Sequence, residues 1–185
     1  MKVKNSILAA GVQLLKNQGI AALTQTRVAE SAGIKQSHLT YYFPKRTDLL
    51  LAIAEFAVNT ILDEIEAEMQ YADPQTTIAD KMSDAMIKGI PPRIIIGLIV
   101  AAEDNPAIRT ALQKLILKIR NHLQLILTKA NVNASDDVTL IFHATIVGLA
   151  VMHEAQQNSK STGDIMHGIR ILLDLITDGD STREH

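Results

Sequence analysis

A short polar stretch near the N-terminus of the chain carries side chains that could form hydrogen bonds with nucleic acid. The segment from Lys35 to Phe43 predicts a short helix, anchored on a core by Leu39 and Phe43, which lie one turn apart. Such a helix can read base edges in the major groove of DNA if its outer face is polar and nearly free of acid. The outer face here is of that kind and carries Ser37, His38, Thr40 and Tyr41.

A second short helix precedes this one, and a glycine turn joins the two. Thr24 can cap the preceding helix through its hydroxyl group, and Val28, Ala29 and Ala32 share one of its faces. Gly33 follows where the chain needs a positive φ. The pattern predicts a helix-turn-helix. Spacing alone leaves open a plain pair of packed helices with solvated polar side chains.

Charge is distributed unevenly along the chain. The overall net charge is −2, but residues 1–50 carry seven lysines and arginines against two acids, a net charge of +5. The remaining residues carry 11 basic and 18 acidic side chains, a net charge of −7. A basic end on an acidic body is expected when one end of a protein meets a polyanion.

The segments AESAGI and LTYYFPKRTDL resemble the DNA-binding domain of TetR-family transcriptional regulators. The resemblance covers about a quarter of the chain. Three positions depart from the family pattern: Ile34 replaces Val, Thr40 replaces Tyr, and Arg46 replaces Lys. The matching positions are Thr24, Val28, Ala29, Ala32, Gly33, Leu39, Tyr42, Phe43 and Leu49.

The resemblance and the polar face together predict the residues that contact DNA. We expect Ser37, His38 and Tyr41 to read base edges. Arg46 keeps the charge of the usual lysine and offers the fork geometry of a guanidinium group. The expected phosphate-positioning residues are Thr24, Arg27, Lys35, Gln36, Thr40, Tyr42 and Arg46.

Helical periodicity continues through the rest of the chain, and we expect an all-α fold. A three-helix DNA-binding domain, residues 1–46, is joined by a long helix to a helical effector-binding and dimerisation domain, residues 47–185. The long helix is capped by Thr47 and runs to about Tyr71, and Pro91 and Pro92 separate two of the later helices. Those helices are predicted near Thr76–Lys88, Arg93–Glu103, Pro106–Ala130, Ser135–Gln157 and Asp164–Asp178, with Gly179 ending the last.

The last two predicted helices are apolar on more than one side. Helices of this kind must bury more than one side. A homodimer with a four-helix interface, two helices from each chain, would satisfy this requirement, and the resemblance implies the same arrangement. A monomer whose core surrounds both helices is the alternative.

Catalytic chemistry has no clear signal in the sequence. We find no glycine-rich phosphate loop, nucleophile elbow or metal-spaced histidine pair, and there is no cysteine. We therefore expect no catalytic residue, metal or cofactor. The longest fully apolar run, Ile94–Ala102, is too short to cross a bilayer, which predicts a cytoplasmic protein without a membrane partner.

An apolar or amphipathic small molecule is the expected effector, because methionines could line an adaptable pocket with a few polar groups. Ordinary core packing is the alternative for each of these residues. The candidates are Met82, Met86, Thr139, His143 and Met152.

The resulting hypothesis is a TetR-type regulator that represses transcription at a pseudo-palindromic double-stranded DNA operator and is released by the effector. One alternative is a helical small-molecule-binding or scaffold protein without sequence-specific DNA binding. Another is an α-helical hydrolase or transferase with an unrecognised site.

Overall fold

The computed structural model describes residues 2–87 and 90–181, which form nine α-helices and one 3₁₀ turn, with no strand among them. The all-α fold is therefore confirmed. The helices are α1 (Lys2–Gln18), α2 (Gln25–Ser31), α3 (Gln36–Tyr42), α4 (Arg46–Glu68), α5 (Pro74–Ile87), α6 (Ile90–Glu103), α7 (Pro106–Lys129), α8 (Asp136–Gln156) and α9 (Ser159–Ser181), and the 3₁₀ turn is Ile20–Ala22.

The chain divides into two compact units. The first contains residues up to Val58 together with Arg93–Leu115, and the second contains Asn59–Pro92 and the residues from Ile116 onward. Helices α4 and α7 each contribute to both units. The division predicted from the sequence, residues 1–46 and 47–185, separates the chain by function and stays a prediction.

The first unit is built on the packing of α1 against α2 and of α2 against α3. Apolar side chains at helical spacing fill its interior because burying them removes their surface from water. The largest fully buried ones are Ile7, Leu15, Leu23, Leu39, Leu49, Ile53, Ile94 and Leu98.

The second unit is built on α5, α8 and α9, which pack against one another in all three pairs. By length and composition, α8 is the one helix among the described residues that could cross a membrane. It packs against α5 and α9 with Phe142 fully buried, while other large apolar side chains of α8 remain exposed. Part of its apolar surface is therefore covered within the protomer.

Several prolines lie at the starts of helices. Pro91 and Pro92 lie in the first turn of α6 instead of separating it from the preceding helix. Pro74 is the first residue of α5. A proline is tolerated in the first turn because the N–H that it lacks would have no intrahelical partner there.

Two other helix ends differ from the prediction. Thr47 lies inside α4, which begins at Arg46, and the carboxylate of Asp48 accepts a hydrogen bond from the Lys45 backbone N–H at 3.2 Å. Helix α9 begins at Ser159, five residues before the predicted start, and continues past Gly179 to Ser181. The earlier start is explained by the side chain of Asn158, which accepts from the Ser161 N–H at 2.9 Å as a helix cap does.

Candidate DNA-binding surface and interior polar cluster

Helix α2 is fixed at both ends by backbone chemistry that its sequence specifies. Thr24 is extended (φ −106°, ψ 153°), and its hydroxyl oxygen accepts a hydrogen bond from the Arg27 N–H at 3.3 Å. After the helix, Gly33 has a φ of +68°. The Ile34 N–H donates to the Ala29 carbonyl and the Gly33 N–H to the Glu30 carbonyl, both at 3.0 Å. This is a Schellman cap, and it sets the turn between α2 and α3.

Helix α3 presents two faces of opposite character. Leu39 and Phe43, the latter just after the helix, are buried in the first unit. Ser37, His38 and Tyr41 are exposed, and Tyr41 retains 80% of its accessible surface. The three residues predicted to read base edges therefore lie together on one solvent-facing side of α3.

Long-range hydrogen bonds hold α3 in position. Gln25 donates to the Phe43 carbonyl at 2.6 Å, and the Thr26 hydroxyl donates to the Gln36 side-chain oxygen at 3.1 Å. Gln25 was not among the predicted site residues. No local signal identifies it, because its partner lies 18 residues away in the sequence.

Several predicted phosphate contacts already have partners within the protein. The Arg46 Nε donates to the Leu23 carbonyl at 2.9 Å, and the Thr40 hydroxyl donates to the Gln36 carbonyl at 2.9 Å. Arg27 donates to the side chain of Gln18. Each bond fixes its side chain in one orientation before DNA is bound. The side chain would therefore lose less conformational entropy on binding.

The remaining predicted residues lie around the same surface. Lys35 and Gln36 are exposed, whereas Thr24, Thr40 and Tyr42 are partly exposed. The Tyr42 ring lies 5.4 Å from the His38 ring and 5.4 Å from the Tyr41 ring, measured between centroids. Lys4 places its ammonium group 5.7 Å from the centroid of the Phe43 ring. The arrangement is a polar, cationic surface supported by aromatic contacts.

The predicted effector residues fall into two groups. Met82, Met86, Thr139 and His143 are buried in the second unit, on the packed helices α5 and α8. Met152 is 55% exposed, so it does not join the other four in the interior. Met152 is therefore not part of the proposed effector site.

Arg120 joins the interior polar groups, and sequence reasoning missed it. It lies on α7, and its positive charge helps to hold the pKa of His143 below the ordinary value of 6.5, although burial of the imidazole is the larger cause. No local pattern identifies it, because Arg120 lies one residue after the buried Ile119 and adjacent residues of a helix face different directions.

The lowered pKa of His143 predicts a loss of stability in acid. Because the unfolded chain takes up the proton at a higher pH than the folded protein, stability is retained above about pH 6.5 and is lost as the pH falls below it. Chemical denaturation between about pH 7.5 and 5.5 should show a smaller loss for His143→Gln than for the wild type. His167→Gln, at an exposed position, is the control for removing an imidazole. Equal pH slopes for wild type and His143→Gln would contradict the assignment.

A separate surface cleft of about 200 Å³ lies in the second unit between α5 and α9. It contains Asp73, Asp174 and Arg170, but Arg170 is paired with Asp80 at 3.0 Å, and Asp73 accepts from the Thr76 N–H at 2.8 Å. The hydrogen bonds from Thr76 lower the pKa of Asp73. Local partners thus account for the charges of Arg170 and Asp73.

Comparison with known proteins gives relatives over the length of the chain. The HTH-type transcriptional regulator CymR of Pseudomonas putida is 24% identical over 169 residues, which are 86% of this chain and 83% of that protein. A transcriptional regulator from Rhodococcus sp. Rha1 has a similar fold, with a TM-score of 0.70, 17% identity and coverage of 95% of this chain and 96% of that one. Thermus thermophilus FadR, a TetR-family repressor solved with lauroyl-CoA, gives a TM-score of 0.63 at 15% identity, with 98% of this chain and 97% of that one covered.

A family model locates the likeness in the sequence. Residues 7–53 match the model for bacterial regulatory proteins of the tetR family. These residues contain the capped helix α2, the Gly33 turn and helix α3 with its exposed polar face. The match falls on the residues that build the helix-turn-helix, which are therefore similar to those of bacterial regulatory proteins of the tetR family.

Proposed function

We propose that this regulator is a homodimeric repressor that binds a pseudo-palindromic DNA operator and releases it when a small molecule occupies the second unit. The exposed polar face of α3, opposite its buried anchors, carries the proposal. Two such helices in a dimer would enter major grooves about one helical turn apart. A regulator of this kind would work in the cytoplasm, where the DNA is.

We assign base reading to Ser37, His38 and Tyr41 because they are exposed on one side of α3. The flanking residues are assigned to phosphates, since phosphate contacts orient a protein on DNA without reading its sequence. This group contains Thr24, Arg27, Lys35, Gln36, Thr40, Tyr42 and Arg46.

Substitutions should separate the two roles. Arg46→Ala should weaken binding to all duplexes alike, by roughly tenfold, and reduce the slope of log affinity against log salt by about one. Ser37→Ala or Tyr41→Ala should change sequence preference instead. Competition binding on a panel of duplexes at several salt concentrations measures both effects. Our assignment would be wrong if Arg46→Ala altered preference but kept overall affinity.

The proposed dimer interface is the outer face of α8 and α9. Large apolar side chains remain exposed there at helical spacing, and Gly148 leaves open space above the α8 backbone. Contiguous exposed apolar surface is typical of an interface. A second copy would cover the same face in a twofold arrangement. The exposed residues are Leu140, Ile141, Val151, Met152, Met166, Ile171 and Leu175.

Effector control would follow from a difference in affinity. A ligand releases DNA only if it binds the DNA-free conformation more tightly than the DNA-bound one. The buried residues Met82, Met86, Thr139 and His143 are our proposed ligand-facing set. The lauroyl-CoA complex of the Thermus repressor supports the idea that a helical body of this fold can hold an amphipathic ligand.

Selection from a randomised duplex pool tests the proposal directly. Fluorescence polarisation at two salt concentrations, followed by recovery of bound sequences, should give a palindrome whose affinity falls steeply with salt. Failure of folded protein to bind any duplex at low salt would overturn it. The body of the protein would then have to act as a binding or scaffold module.

A further inference from the structure

The interior of the second unit contains polar atoms that the protein itself does not satisfy. Within the described residues, the Thr139 hydroxyl oxygen and the Arg120 Nε are both buried and have no hydrogen-bond partner. Thr139 is 1% exposed. Buried polar atoms are nearly always paired in folded proteins, so an unpaired hydroxyl and an unpaired guanidinium nitrogen in one unit call for a ligand or an ordered water.

The Thr139 hydroxyl departs from what other helical threonines of this chain do. Six of them donate to the carbonyl oxygen four residues earlier, which is the usual way for a helical threonine to satisfy its hydroxyl group. The equivalent carbonyl for Thr139 belongs to Ser135, and the Thr139 hydroxyl makes no such bond and has no other partner among the described residues. It is therefore free to bind another group. The six are Thr40, Thr77, Thr110, Thr128, Thr162 and Thr177.

The charge on Arg120 is also uncompensated in the described part of the chain. Other cations of the second unit have acidic partners: Lys81 pairs with Glu68, Lys129 with Glu66, and Arg170 with Asp80. Arg120 has no such carboxylate, and the group on which its charge acts is the buried imidazole of His143. Because the pKa of His143 is lowered, its imidazole is neutral near pH 7, and the charge of Arg120 is the one that a bound anion would balance.

We propose that Arg120, Thr139 and His143 form the polar end of the effector site and bind the carboxylate of a monocarboxylic acid with an apolar body. The guanidinium fork matches a carboxylate in shape and charge, and the threonine hydroxyl and the imidazole N–H supply further donors. Thr139 and His143 lie one turn apart on α8, so both can reach one group. The inference rests on the proposed function and names its effector class.

The apolar body of the ligand is assigned from the helices around this cluster. Phe142 and Ile146 are buried on α8, and α5, which packs against α8, contributes Met82 and Met86. Unbranched methionine side chains can rearrange around ligands of different shape. A fatty or arylalkyl acid meets these requirements, whereas a small dicarboxylate would place its second charge among apolar side chains.

Calorimetry on the full-length protein tests the carboxylate directly. We would measure decanoate and 3-phenylpropionate against their uncharged amides, decanamide and 3-phenylpropionamide. We expect one or both acids to bind, with an affinity about tenfold or more above that of the corresponding amide. The two bodies report whether the site favours an alkyl chain or a ring. The inference is overturned if neither acid binds or if acid and amide bind equally.

Variants then assign the carboxylate to the cluster. Arg120→Met should reduce the affinity for the acid to that for the amide while leaving amide binding unchanged, and Thr139→Val should reduce acid binding about fivefold. Lys114→Met removes the same charge from an exposed position on α7 and should have no effect. If Arg120→Met lowered the affinities for acid and amide equally, Arg120 would have only a packing role. If both Arg120→Met and Thr139→Val kept the affinity for the acid, an ordered water would be the partner of these two side chains. Either result overturns the inference.

Operator binding distinguishes this inference from the proposed function. The acid should lower affinity for the selected operator, and its amide should not. If the protein binds DNA but no acid, the inference fails and the regulator stands. If it binds the acid through Arg120 but no DNA, the proposed function fails and the ligand site stands.

Discussion

Ile141→Lys is expected to convert the protein into a monomer and to lower its affinity for a full operator at least about a hundredfold. Ile141 is 55% exposed on α8, so the protomer can accept lysine there without losing core packing. In a twofold interface the substitution occurs twice and buries two unpaired ammonium groups. Because the two heads then bind independently, the gain from binding both half-sites together is lost.

Sedimentation velocity and binding to full and half operators measure this effect. Affinity for a single half-site should be nearly unchanged, since α3 belongs to the other unit of the chain. Leu125→Lys is the matched control, because Leu125 is 61% exposed on α7, outside the proposed interface. A dimer that survives Ile141→Lys, or one that dissociates only with Leu125→Lys, would place the interface elsewhere.

The helix-turn-helix was predictable because its signals are local. Thr24 and Gly33 each act on a backbone segment within a few residues, and α2 and α3 begin and end within about one residue of the prediction. Capping and positive φ are properties of single residues. They can therefore be read without knowing the rest of the fold.

Proline and glycine at the other helix ends were read less well because each has two possible roles. Pro91 and Pro92 can break a helix or begin one, and only the fold shows that they lie in the first turn of α6. Gly179 can end a helix or lie within one, and α9 continues past it to Ser181. In neither case does the residue type by itself decide between the two roles.

The candidate sites depended on contacts that no local pattern reveals. The exposed face of α3 follows from helical periodicity, but the hydrogen bond from Gln25 to Phe43 joins residues 18 apart. The position of Arg120 beside Ile119 in the sequence does not mark it as part of a site. Whether a carboxylate elsewhere in the chain neutralises it is a property of the three-dimensional structure.

Gly11→Ala is expected to destabilise the first unit by about 1–3 kcal/mol, the usual range for overpacking a core. Gly11 lies in the middle of α1 and is buried against Ile53 of α4. An added Cβ would lie 2.3 Å from the Ile53 Cδ1 and 2.8 Å from its Cγ1, well inside van der Waals contact. Ile53 is fully buried, so it has little room to move away.

Whether Gly11→Ala lowers or raises the free energy of unfolding identifies the cause of the change. At a helix position with open space, replacing glycine by alanine stabilises by roughly 0.5–1 kcal/mol because the unfolded chain loses freedom. Gly163→Ala, where an added Cβ meets no atom within 4 Å, should show that gain. Gly11→Ala should show the opposite sign in urea denaturation monitored by circular dichroism, together with weaker operator binding.

A double-mutant cycle locates the strain at the contact between α1 and α4. Ile53→Val removes the Cδ1 atom that an alanine Cβ at position 11 would approach most closely, at its own cost of about 0.5–1.5 kcal/mol. In the Ile53→Val background, the penalty of Gly11→Ala should fall by at least about 1 kcal/mol. Additive effects would mean that the helices separate to admit the methyl group. Gly11 would then be required for the backbone conformation of α1 and not for the close packing of α1 against α4. That packing is what we expect to support the helix-turn-helix.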